Sequence, residues 1–278
     1  MRIALCNEVI APMSFPKQCE YAAKLGYDGL EVAPYTLSDE PHRMGTAQLA
    51  AARSAAEDAG IVVTGLHWLL IKPAGLSIST RDEAVRKKTI DVMHTLIDQC
   101  AELGGKYLVH GSPHQRRVDP GEQRAAAMAR ARDSFAAVAD HAAKAGVLYC
   151  IEPLSAEQTP LINTLEEAAQ MVAEIDSPAV RSMLDCSSAG RMEKEPVQAL
   201  VDRWLPKGVI AHVQVNDRNR RGPGQGEQRF APLLASLMRH GYGGDVAVEP
   251  FDYVPDGPGA AARAIGYVRG ILEALDAE

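Results

Sequence analysis

A closed α/β barrel of eight (β/α) units, filled by one chain-long domain (1–278), is the fold class the sequence predicts. Three observations carry it. Short β-branched runs alternate with helical stretches eight times. Most of the helical stretches before a strand end on glycine. The first strand leads into Cys6-Asn7-Glu8 where an open dinucleotide-binding sheet would carry GxGxxG.

The candidate strands are Arg2 to Cys6, Gly29 to Ala33, Val62 to Leu66, Tyr107 to His110, Val147 to Glu152, Arg181 to Asp185, Ile210 to Val215 and Val246 to Glu249. Helix stops are expected at Gly26, Gly60, the Gly104-Gly105 pair, Gly146 and Gly241, because glycine enters the left-handed region without a Cβ clash. Between them, helical patterning is clearest over Arg81 to Leu103 and over the Ala-rich stretch Glu122 to Ala145. No linker, low-complexity block or like-charge run interrupts the alternation, and 278 residues suit one α/β barrel.

Composition narrows the function classes. Apolar residues make up 46% of the chain and charged residues 23%, enough for a sizeable core. Lys and Arg number 29 against 36 Asp and Glu, a formal charge of −7, which disfavours a nucleic-acid partner. Neither a signal-peptide pattern nor an apolar run of membrane-spanning length is found, so a cytoplasmic protein with no membrane partner is expected. Five scattered cysteines without a CxxC pair read as buried small apolar residues, with Cys186 beside Asp185 the one singled out.

Polar residues collect at the ends of the candidate strands, where a barrel of this class places its active site. Strand 2 ends near Glu31; strands 3 and 4 run into His67 and His110; strands 5, 6 and 8 end on Glu152, Asp185 and Glu249. In strand 7 the period of two puts His212, Gln214 and Asn216 on the inward face and Ala211, Val213 and Val215 towards the helices. Glu152, Asp185, His212 and Glu249 follow at intervals of 33, 27 and 37 residues, one βα unit each, and so converge from four adjacent strands. Three carboxylates in a partly buried cleft repel one another unless a cation joins them. One imidazole with three carboxylates suits Mn²⁺ or Mg²⁺, with Co²⁺ and Zn²⁺ as alternatives.

The segments Ile151-Glu152-Pro153-Leu154, Met183-Leu184-Asp185, His212-Val213-Gln214-Val215-Asn216-Asp217, Gly222-Pro223-Gly224-Gln225-Gly226 and Val248-Glu249-Pro250 make the chain resemble the xylose isomerase-like TIM-barrel superfamily. Within it the chain resembles the sugar phosphate isomerase/epimerase branch, related to ketose 3-epimerases and more remotely to endonuclease IV. The resemblance implies a divalent metal, Mn²⁺ first, on Glu152, Asp185, His212 and Glu249, with Glu152 and Glu249 as the acid/base pair. It implies an isomerase or epimerase of carbohydrate metabolism that removes and returns a proton through an enediolate of a small sugar or polyol. A keto-sugar or inositol lyase or dehydratase is the alternative, and an endonuclease IV-like phosphodiesterase a further one. Relatives often form dimers or tetramers, which extends a homo-oligomer to this chain as an expectation.

Two positions depart from the ketose epimerase pattern. Ser188 stands where a histidine is common, and Ala156-Glu157-Gln158 stands in place of Arg-x-Glu. Substrate contacts are therefore expected from His67, His110, Trp68, Gln158, Ser188 and Arg218. His67 and His110 either meet substrate or orient a carboxylate; Trp68 either walls the pocket or packs under its loop; Arg218, in the basic run Arg218-Asn219-Arg220-Arg221, either meets an anionic group or lies in a solvated turn.

Overall fold

The computed structural model describes residues 1–277. Eight parallel strands close on themselves in chain order: β1 (Arg2–Cys6), β2 (Gly29–Val32), β3 (Val62–Leu66), β4 (Tyr107–His110), β5 (Leu148–Ile151), β6 (Val180–Asp185), β7 (Ile210–Val215) and β8 (Asp245–Val248). Helices α1 (Phe15–Leu25), α2 (Thr46–Asp58), α3 (Glu83–Glu102), α4 (Arg124–Ala145) and α5 (Leu165–Ile175) follow the first five strands. Two short helices, α6 (Cys186–Met192) and α7 (Val197–Trp204), fill the crossover after β6. Helices α8 (Ala231–Arg239) and α9 (Gly257–Asp276) complete the outer ring. The fold is thus the (β/α)8 barrel read from the alternation, and no helix among the described residues is long and apolar enough to cross a membrane.

Local chemistry accounts for the element boundaries. Gly26, Gly60, Gly104, Gly146 and Gly241 all take positive φ, between 64° and 92°, where the helices stop. Asp82 begins α3 by accepting from the amides of Ala84 and Val85, and Thr164 begins α5 by accepting from Glu167. The barrel closes where β1 meets β8. There Arg2 grips the buried Asp245 with two nitrogens, at 2.7 and 3.1 Å, a fork that fixes register as well as charge.

The main core lies between strands and helices, where Leu, Ile, Val and Ala side chains from both layers are fully enclosed. A smaller cluster of Tyr107, Val109, Cys150 and Met183 fills the barrel. Tyr107 fits because β3 has a glycine opposite it: a Cβ on Gly65 would lie 2.5 Å from both the ring and the main-chain oxygen of Tyr107. The phenol leans across to donate to Glu31 at 2.7 Å. Gly65→Ala is therefore expected to destabilise by about 1–3 kcal/mol through overpacking, read as a lower denaturation midpoint; an unchanged midpoint would show that the Tyr107 ring moves freely.

Candidate functional site

Glu152 and Glu249 each stand one residue beyond a strand, after β5 and β8, and Asp185 is the last residue of β6. Carboxylate oxygens of these three, all buried, lie within 4.8 Å of one another at the carboxyl end of the barrel. Gly111 makes room for one of them: a Cβ there would sit 1.6 Å from Glu152 Oε2. Asp185 is anchored from two sides, accepting from the Ser188 amide at 2.7 Å and from Asn216 Nδ2 at 2.6 Å. Asn216 also donates to the main-chain oxygen of Glu249, so one side chain ties β6, β7 and β8 together. Glu249 Oε2 is buried and has no hydrogen-bond partner.

Burial, with the repulsion among them, pushes Glu152 and Glu249 well above the ordinary carboxylate value of 4.5. Asp185 is raised too, first by burial, against the opposing hydrogen bonds from Ser188 and Asn216. Arg116 opposes the rise at Glu152. Its guanidinium is fully enclosed, and none of its three nitrogens has a partner.

His212 does not join this group. It is fully buried inside the barrel, stacked on Tyr107 with ring centroids 3.9 Å apart, and its Nε2 lies 2.7 Å from Glu31 Oε2 without pointing along a hydrogen bond. The reason is register. β7 is irregular opposite Ser182 and Met183, so Ala211 packs against the inner cluster where strict alternation turns it towards the helices. His212 then pairs with Met183, and Gln214 pairs with Asp185. At the level of the carboxylates β7 therefore presents Gln214. Its amide nitrogen donates to Glu31 Oε1 at 2.6 Å. A carboxylate only accepts, so the amide must be turned this way, leaving Gln214 Oε1 buried without a partner.

His110 also departs from expectation. Tyr107 and Val109 face inward, so His110 faces outward, bonded to the Tyr149 hydroxyl at 2.8 Å and edge-on to Phe135 of α4. Burial and the nearby Arg116 hold its basicity well down, and it stays neutral. His67 does reach the mouth, its Nε2 2.8 Å from Glu8 Oε2.

Trp68, Gln158, Leu154 and Phe251 line a narrow cleft together with His67, Glu152 and Glu249. Trp68 meets Phe251 edge to face at 6.3 Å, so it forms part of the pocket wall. Gln158 folds its carbonyl back onto Ser155. Ser188 serves Asp185 through its main chain. Arg218 is exposed and lies against Gly190, away from this space; from the same run, Arg220 stacks its guanidinium over Phe251 at 4.9 Å. Cys186 is fully buried, and burial raises its thiol well above the ordinary range; Cys6, at the end of β1 and equally buried, is the cysteine beside the mouth.

The chain matches the family model described as xylose isomerase-like TIM barrel over residues 19–271. It is 27% identical to a D-psicose 3-epimerase of Agrobacterium fabrum (strain C58 / ATCC 33970), over 85% of this chain and 79% of that protein. A 3-dehydro-D-guloside 4-epimerase of Escherichia coli (strain K12) is 24% identical over 90% and 92%. A solved D-psicose 3-epimerase, in a crystal containing D-fructose, superposes with a TM-score of 0.83 at 23% identity over 98% and 99%.

The raised carboxylates set a pH dependence. A carboxylate whose folded pKa lies above its unfolded one is most favourable to folding below the unfolded value of 4.5, and that contribution is lost as pH rises through the folded value. A divalent cation removes the penalty. Any thermal stabilisation by an added divalent cation is therefore expected to grow as pH rises above that value; a pH-independent shift in melting temperature would contradict the cluster. Gly111→Ala, which displaces Glu152, should lower kcat/KM on the order of 100-fold with the fold intact; wild-type turnover would show that Glu152 need not stand where it does.

By its family-model match over most of its length, the chain belongs to the xylose isomerase-like TIM-barrel family and is an enzyme.

Proposed function

We propose that this enzyme is a divalent-metal-dependent epimerase or isomerase of a small sugar or polyol ketone, with Glu152 and Glu249 exchanging the proton on the carbon beside the carbonyl. The observation that carries the reading is the buried trio Glu152, Asp185 and Glu249. Three carboxylates at that spacing without a counter-ion are strongly unfavourable. The unpartnered oxygens of Glu249 and Gln214 are donors waiting for the same cation. With Gln214 in place of His212, the ligand set is Glu152, Asp185, Gln214 and Glu249, all oxygen. Hard ions suit it, Mn²⁺ first and Mg²⁺ next, with Co²⁺ or Zn²⁺ as substitutes.

When bound, such an ion polarises the substrate carbonyl and offsets the charge that develops on its oxygen. The chain's own groups do the rest. Glu152 and Glu249 belong to strands three apart, so they approach a bound carbon from different sides of the mouth. One of them, ionised, removes the weakly acidic C–H proton, and the other, protonated, returns one on its own side. Arg116 limits how far Glu152 rises and keeps it able to ionise. Trp68, Leu154 and Phe251 exclude water from the reacting face, while Gln158 and His67 offer hydrogen bonds to hydroxyls.

The acidic balance of the chain favours a small polyol over a nucleic acid. The epimerases of A. fabrum and E. coli, named for sugar substrates, support the same class.

In D₂O with Mn²⁺ and a panel of ketoses and keto-sugars, NMR should show deuterium entering next to a carbonyl with inversion or carbonyl migration. Loss of water from the substrate would instead identify a lyase on the same carboxylates. Glu152→Gln and Glu249→Gln should each lower turnover by about 10²–10⁴-fold; full activity of either metal-loaded variant would overturn its role. Gln214→Leu should weaken Mn²⁺ binding by at least about 10–100-fold in a calorimetric titration, whereas His212→Asn should not; the reverse order would restore His212 as the ligand.

A further inference from the structure

Beside the oxygen-lined group, the mouth holds a second cluster, which shares Glu249 and His67 with the proposed reaction and adds Cys6 and Glu8, two groups to which that reaction gives no role. Cys6 ends β1, Glu8 follows in the turn Asn7–Ile10, His67 follows β3, and Glu249 follows β8. One ligand atom from each lies within 4.8 Å of the other three.

The spacing is that of a coordination sphere. Ligands bound at roughly 2.0–2.3 Å around one ion stand roughly 3–4 Å apart. His67 Nε2 lies 2.8 Å from Glu8 Oε2 and 4.0 Å from Glu249 Oε1. Burial is equally specific: His67 is 1% exposed and the Glu8 side chain 9%, yet Glu8 Oε1, Glu249 Oε2 and His67 Nδ1 have no hydrogen-bond partner. Behind the ring, His67 Nδ1 faces Glu31 Oε1 at 3.6 Å. Without an ion, Nε2–H donates to Glu8 Oε2; an ion between them would replace that proton, leaving hydrogen on Nδ1 on the side of Glu31, the side on which a carboxylate commonly orients a ligating histidine.

Charge points the same way. Five carboxylates, Glu8, Glu31, Glu152, Asp185 and Glu249, are enclosed around the mouth, with Arg116 the fixed cation beside Glu152. One divalent ion leaves two negative charges over, and a second ion, with Cys6 as thiolate, leaves one.

We propose that Cys6, Glu8, His67 and Glu249 form a second divalent-cation site, adjoining the first through Glu249 and selective for Zn²⁺ or Co²⁺. The donor set decides the selectivity: nitrogen and sulfur with two oxygens favour these ions, whereas the all-oxygen neighbour favours Mn²⁺ or Mg²⁺. Cys6 Sγ now lies 3.7 Å from Glu31 Oε1 as a thiol donor; on binding it becomes the thiolate and its proton passes to solvent. A shared Glu249 would be held in one orientation between the two ions.

Metal-free full-length protein is titrated with Co²⁺, counting bound ions by elemental analysis and following the thiolate-to-Co²⁺ charge-transfer band in the near ultraviolet. Wild type should bind two ions and show the band. Cys6→Ser should lose the band and keep one ion; Asp185→Asn, which damages only the oxygen-lined site, should keep the band. Glu8→Gln supplies the same test should Cys6→Ser fold poorly, with a weakened or shifted band expected. A single ion without the band, or two ions without it, overturns the proposal. A band that survives in Asp185→Asn with one ion upholds it even if the first site fails its own test.

Discussion

Glu31 is the constraint on which the rest of the site depends. It is fully enclosed within the barrel, where leaving a carboxylate ionised costs several kcal/mol unless partners satisfy it. Tyr107 and Gln214 donate to it at 2.7 and 2.6 Å. Burial alone would raise its pKa, but the charges of His212 and His67 and the Tyr107 hydroxyl bring it down to about 2. A carboxylate that stays ionised orients whatever surrounds it. It turns the Gln214 amide so that its carbonyl points away, and it faces the far nitrogen of His67. Tyr107 reaches it only because β3 supplies Gly65 at the crossing point.

Above this satisfied layer lies one that is unsatisfied. Glu31 has its donors, whereas Glu8, Glu249 and Gln214 keep buried oxygens with none, and Glu152 is crowded against Gly111. A chain selected for stability alone would not bury such groups, and a functional site is where local rules are expected to yield. The lower is built from protein partners and defines geometry; the upper leaves its valences for a cation and a substrate.

The organisation of the chain was legible from local signals. Alternation of apolar runs, glycine at helix ends and the polar residues at strand ends are each written within a few positions, since they reflect backbone conformation and the two-residue period of a strand. Hence eight strands lie close to the ranges read from sequence, five glycines take positive φ as expected, and Glu152, Asp185 and Glu249 arrive together. Even the outward turn of His110 follows from the same period, counted from Tyr107.

Height within the barrel was not legible. Which residue of β7 stands level with Asp185 depends on one irregularity against β6, a relation between segments about 30 residues apart that no local pattern encodes. Continuing the Ser182–Ile210 pairing without it would set Val213 opposite Asp185, whereas the irregularity sets Gln214 there and leaves His212 two residues below. Likewise nothing local marks Cys6 and Glu8 as neighbours of Glu249, which closure of the barrel brings together by setting β1 beside β8, or marks Arg116 as enclosed. The sequence by itself determined the elements, their order and the acidic character of the mouth, because these are local and additive. Only the tertiary structure decided which atoms share a coordination sphere, because that rests on register and closure between strands far apart in the chain.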